Sequence, residues 1–131
     1  MNLEYETPTR ENFEAILGYR TILDGTSFLR GYEKEIRETG SCPPIETFLR
    51  ILYTNNWLIN SHWQGWTDEA TAYFEQPSLL TLADTQSLRR ILTVHVRIDR
   101  LMPGEIADLI HRGYMLAIFN RISEIHETEG E

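Results

Sequence analysis

The residues best suited to chemistry in this sequence are His95 and Asp99, one helical turn apart. On one helix face that spacing lets a carboxylate orient an imidazole for proton transfer, or lets the pair share a metal ion. The plainer arrangement is a buried or boundary histidine hydrogen-bonded to a neighbouring acid, because no third ligand or nucleophile is tied to the pair. His62, His95, His111 and His126 lack the spacing of a zinc site, so no metal is expected. Arg97 and Arg100 flank Asp99, and with Arg89 and Arg90 they predict a cationic strip along the opposite side of the same helix. Such a strip can grip an anion, a phosphate or an acidic partner. Paired with the many local Glu and Asp side chains, it is simply a solvated face.

A second constellation is Trp57, Trp63 and Trp66, with His62 and Gln64 between them. Tryptophan rings at this density stack on a base or sugar, anchor a peptide, or close a core beneath a loop. No basic residues flank them, so single-stranded nucleic acid is a poor fit. The stretch from Glu105 to Tyr114 imitates a helix-turn-helix, but the second helix opens on Tyr114-Met115-Leu116-Ala117-Ile118-Phe119. That start is too apolar to read base edges and belongs in a core. Gly-rich phosphate loops, a dinucleotide fingerprint, a nucleophile elbow and His-Glu-x-x-His are all missing, so no cofactor is expected. Cys42, ahead of Pro43-Pro44, has no neighbour that would activate a thiolate.

The elements that must position these groups are predominantly helical. Thr7-Pro8-Thr9 can start a helix in which Phe13, Ile16, Leu17 and Leu23 recur at helical spacing, with Arg20 on the same stripe seeking water or a buried carboxylate. Phe28, Leu29, Tyr32 and Ile36 predict a second helix from Ser27 to Thr39, closed by Gly40. Pro43-Pro44 opens a third, with Ile45, Phe48, Leu49 and Leu52 inward and Asn55-Asn56 at its end. Residues 57–66 show no helical period and read as a Trp-rich loop or short strand. Asp68 to Phe74 is a brief helix stopped by Gln76-Pro77. The central helix, 84–102, is capped by Asp84 and carries Leu88, Ile91, Leu92, His95, Ile98 and Met102 on one face. Pro103-Gly104 ends it, and two shorter helices follow, separated by Gly113. The whole predicts an all-α bundle of about six helices around residues 84–102, in one domain spanning 1–131, with an acidic frayed tail from about residue 127.

Composition narrows the function classes further. The net charge of -8 repels a phosphate backbone at long range, which makes nucleic acid an unfavoured partner. One cysteine precludes an internal disulfide and points to a reducing, cytoplasmic setting. The opening Met1-Asn2-Leu3-Glu4-Tyr5-Glu6 has no basic start or apolar run, and no stretch nears the ~20 apolar residues of a membrane span, so neither export nor membrane insertion is expected.

The segment Leu88-Arg89-Arg90-Ile91-Leu92-Thr93-Val94-His95-Val96-Arg97-Ile98-Asp99-Arg100, followed by Gly104, Gly113 and Arg121-Ile122, resembles a family of small bacterial and archaeal proteins of unknown function. Trp63-Gln64-Gly65-Trp66 and Gln76-Pro77 extend the likeness to roughly Pro44 to Ile122, and Arg97-x-Asp99-Arg100 is its most specific element. The resemblance implies a compact prokaryotic domain and brings no activity, substrate or cofactor with it. Read physically, Arg97, Asp99 and Arg100 before the Gly104 turn predict an ion-pair network locking two helices.

Three functions follow as expectations. The first is a non-enzymatic protein–protein interaction module, self-associating as a homodimer or contacting a partner through Trp57, Trp63 and Trp66 or through Arg97, Asp99 and Arg100. The second is a small enzyme or anionic-ligand-binding protein, with His95 and Asp99 as acid/base pair and Arg97 or Arg100 holding the anion. The third is a nucleic-acid-associated module, whose binding would fall steeply with salt.

Overall fold

Asp84 starts the longest helix as its type and position dictate: its carboxylate accepts the backbone N–H of Ser87 at 2.8 Å, satisfying one of the orphan donors of the first turn. The computed structural model describes residues 7–24, 29–60 and 62–129. Over these the chain forms α1 (Arg10–Asp24), α2 (Glu33–Thr39), α3 (Pro43–Thr54), α4 (Thr67–Glu75), α5 (Thr85–Leu101), α6 (Glu105–His111) and α7 (Tyr114–Glu129). Two 3-10 helices, Trp63–Trp66 and Pro77–Leu82, complete the described elements, and no strand occurs among the described residues. The fold is all-α.

α5 is buried on more than one side, as its wide apolar surface predicts, with Leu88, Ile91, Leu92, Val94 and Val96 all interior. It packs against α4, α6 and α7, while α1 lies along α7. Phe48 and Leu52 from α3, Ile106 and Leu109 from α6, and Met115, Ile118, Phe119 and Ile122 from α7 complete one continuous core. The helix-turn-helix mimic therefore spends the first turns of α7 on packing. No helix among the described residues is long and apolar enough to cross a membrane.

Three details sharpen or correct the expected pattern. Of the two outcomes open to Arg20, it takes the surface: the side chain is exposed and its Nε donates to Oδ1 of Asn120 at 2.8 Å, tying α1 to α7. The second helix begins at Glu33, and the expected start at Ser27 and Phe28 lies outside the described residues. The Trp-rich stretch is not a strand. Its first half runs as an irregular segment held to α5, because the Ile59 N–H donates to Thr93 Oγ1 at 2.9 Å, and its second half winds into a 3-10 turn leading straight into α4. Such turns commonly precede helices and leave no periodic signature of their own.

Candidate functional site

Gly104 has no side chain with which to cap the helix that follows it. The cap comes instead from α5: Asp99 Oδ1 accepts the Gly104 N–H at 3.2 Å and the Ile106 N–H at 3.1 Å. Gly104 itself sits at φ 116, a left-handed conformation that suits glycine. This reversal turns α6 back along α5, and the first residue of α6, Glu105, arrives beside His95. The expected partnership of His95 with Asp99 is therefore corrected: Asp99 Oδ1 serves backbone donors, and neither His95 nitrogen has a hydrogen-bond partner. Among the described residues no ion pair joins Arg97 or Arg100 to Asp99, so the expected network is not formed. The Asp99 bonds stabilise the α5–α6 turn, and Asp99→Ala is expected to cost about 1–2 kcal/mol in urea denaturation. Asp99→Asn keeps an acceptor oxygen in place and is expected to stay within about 0.5 kcal/mol of the natural protein.

His95 is 5% exposed, and neither ring nitrogen has a hydrogen-bond partner. Its Nδ1 lies 3.7 Å from Glu105 Oε2, beyond hydrogen-bonding reach. Burial pushes the imidazole down from its ordinary 6.5 to about 4, so it is neutral at pH 7 and the two groups are neighbours without being an ion pair. Glu105 is pushed the other way, upward, first by burial and then by Asp108 and Asp99, with Arg112 opposing. Two aromatic rings frame His95: Phe74 with centroids 6.3 Å away, and Tyr114 edge-on at 5.8 Å. The buried Tyr114 hydroxyl also lacks a partner, and burial raises its pKa. His95 and Glu105 open onto a cleft of about 170 Å³ whose other walls come from α4 (Thr67, Ala70, Thr71, Phe74) and α5 (Val94, Ile98).

The other expected site residues are scattered. Trp57 is fully buried, packed edge-on against Phe13, with its Nε1 donating to the Asn12 carbonyl at 3.0 Å. Trp63 and Trp66 are half-buried on the 3-10 turn, so the three rings do not make one open platform. The arginine strip is broken up as well. Arg89 lies in the interior, donating to the Asn56 carbonyl at 2.9 Å and its side-chain oxygen at 3.1 Å, and Arg90 forms a two-pronged bond with Glu69 at 2.7 and 3.1 Å. Arg97 reaches Asn60 Oδ1 at 3.3 Å and, with the exposed Arg100 and Tyr53, borders a shallow depression. That depression is separate from the His95 cleft. Cys42 is buried and its thiol pushed up by that burial, which keeps it protonated.

Glu105 and Phe74 are the site residues that sequence reasoning missed. The one available signal was Glu105 following the Pro103-Gly104 break, in the first turn of the next helix. Among the described residues, no group of three His, Cys, Asp or Glu side chains is placed to hold a metal ion. No curated protein and no solved structure matches the chain. A family model does match, over a stretch that begins at α2 and contains every residue of the His95 cleft. On that match the chain belongs to the Family of unknown function (DUF6508), which covers residues 33–128.

Proposed function

We propose that this protein is a small-ligand-binding domain of the prokaryotic cytosol, and that its ligand occupies the cleft at His95. One observation carries the reading: a histidine 5% exposed, with both nitrogens unpartnered, lines a cleft of about 170 Å³. An unsatisfied buried polar group costs about 1–3 kcal/mol, and native chains keep few of them. A cleft of that volume compares with the ~150 Å³ cavity that accepts benzene in a well-studied protein. The chemistry favours binding over proton transfer. General acid–base catalysis works best with a pKa near the operating pH, and His95 is held at about 4. The test is to titrate a set of cationic, neutral and anionic fragments of benzene size while following the His95 ring resonances by NMR. Saturable shifts at His95 support the reading; a set in which no fragment moves them sinks it.

A second reading, a contact surface for another protein or for a second copy of the chain, has its own support. Arg97 and Arg100 have no ion-pair partner among the described residues, and Leu101 and Met102, which follow them, are each 71% exposed. Exposed large apolar side chains beside unpaired arginines match the composition of interface centres. Light scattering with a pull-down from the host decides it: a strict monomer that captures nothing removes this reading.

A further inference from the structure

The polar groups that face the His95 cleft are unbalanced in kind. The neutral His95 ring has one nitrogen able to accept and one N–H able to donate, both unpartnered. Glu105 supplies carboxylate oxygens. Thr67 has already given its hydroxyl proton to the Gln64 carbonyl at 3.1 Å, so toward the cleft it has only lone pairs to offer. Arg112, whose charge opposes the shift of Glu105, is already engaged: its Nε is 2.7 Å from Asp108, and its guanidinium sits 5.9 Å over the Phe74 ring. Asp99 and Asp108 add to the negative potential around Glu105. Thr71 adds an exposed hydroxyl that can accept or donate, and the remaining walls, Ala70, Phe74, Val94 and Ile98, are apolar.

An acceptor-rich, negatively biased mouth over an apolar cleft is complementary to a donor head on an apolar body. We propose that the His95 cleft selects a small primary amine, bound as its ammonium ion against Glu105 and the His95 acceptor nitrogen, with its hydrocarbon body on Phe74 and Ile98. An anion would meet Glu105 with no free cation to offset it, and a divalent metal would find two protein ligands where it needs three or more. The inference rests on the ligand-binding reading of the cleft and sharpens it to one chemical class.

The experiment is calorimetric titration of the whole protein with benzylamine, benzyl alcohol, benzoate and zinc chloride at one ionic strength, repeated with Glu105→Gln. Benzylamine is expected to bind at least tenfold more tightly than the alcohol, with benzoate and zinc weaker still. Glu105→Gln should remove that tenfold preference by weakening benzylamine far more than the alcohol. Equal or tighter binding of the alcohol or benzoate overturns the amine assignment but leaves a ligand site standing. Tight zinc binding overturns it in favour of a metal. Silence from all four overturns the amine assignment too, and silence across the NMR fragment set as well removes the site. The charge preference in the unmodified protein decides the matter even if Glu105→Gln folds poorly.

Discussion

Acidifying the protein from pH 7 to pH 4 is expected to remove about 3 kcal/mol of folding stability through His95 alone. The sign follows from where the proton goes. Burial lowers the folded-state pKa from 6.5 to about 4. Between those values the unfolded chain takes up a proton that the folded protein refuses, so acid pulls the equilibrium toward unfolding. Above pH 6.5 the imidazole is neutral in both states and contributes no slope. Near pH 4 the loss levels off, and at about 1.4 kcal/mol per pKa unit the full window gives the stated size. Asp84, whose pKa is lowered mainly by its bond from the Ser87 backbone, adds a loss of the same sign at lower pH. Glu105 has the opposite sign, because a raised carboxylate pKa favours the folded state at low pH. Comparing the natural protein with His95→Leu by urea denaturation at each pH subtracts both to first order. Parallel stability curves would mean that His95 is not held neutral in the fold.

The second large effect is expected from Gly40→Ala, a change far from the cleft in sequence. Gly40 closes α2 at φ 81, its N–H donating to the Ile36 carbonyl at 2.7 Å. A methyl group there would stand 2.5 Å from the Pro103 carbonyl carbon and 2.7 Å from the Gly104 nitrogen, closer than real contacts allow. The neighbours are backbone, so they cannot swing aside. A left-handed alanine costs about 1–2 kcal/mol and overpacking about 1–3 more, so a total loss of roughly 2–5 kcal/mol is expected. Pro103-Gly104 is also the turn that Asp99 caps and that delivers Glu105 to His95. Gly40→Ala should therefore weaken fragment binding at His95 as well as lower the urea midpoint, and a variant as stable as the natural protein would show that the α2 and α5–α6 turns do not touch.

How much of this was legible depends on whether the signal was local. The start of α5 was, because a capping aspartate at Asp84 and apolar residues at helical spacing need nothing beyond themselves. The ends of α3 and α4 were, because prolines and asparagines restrict their own backbone. The site was only half legible. His95 stood out by type, but its neighbour depends on the angle at which α6 leaves Gly104, and a sequence in which Asp99 and Glu105 both sit near His95 does not say which carboxylate the turn consumes. Arg89 shows the same limit. Spacing put it with Arg90, Arg97 and Arg100 on a solvated side, whereas α5 is covered on that side too, and the left-handed Asn56 presents both its carbonyl and its side-chain oxygen to the guanidinium. From sequence Trp57 reads as a ring closing a core beneath a loop, a peptide anchor or a stacking platform; the approach of α1 supplies the Asn12 carbonyl that holds its indole in the core.

The account turns on His95 being kept for a ligand at some cost to folding, and the denaturation free energy of His95→Leu at pH 7.5 measures that most directly. Leucine has a similar volume, removes two unsatisfied nitrogens and adds apolar surface to the Phe74 and Tyr114 wall. The variant is expected to be more stable than the natural protein by about 1–2 kcal/mol, and to lose fragment binding. A variant less stable by 1 kcal/mol or more, in the absence of any ligand, would mean that the imidazole nitrogens hold the fold together, and would contradict the assignment of this cleft as a binding site.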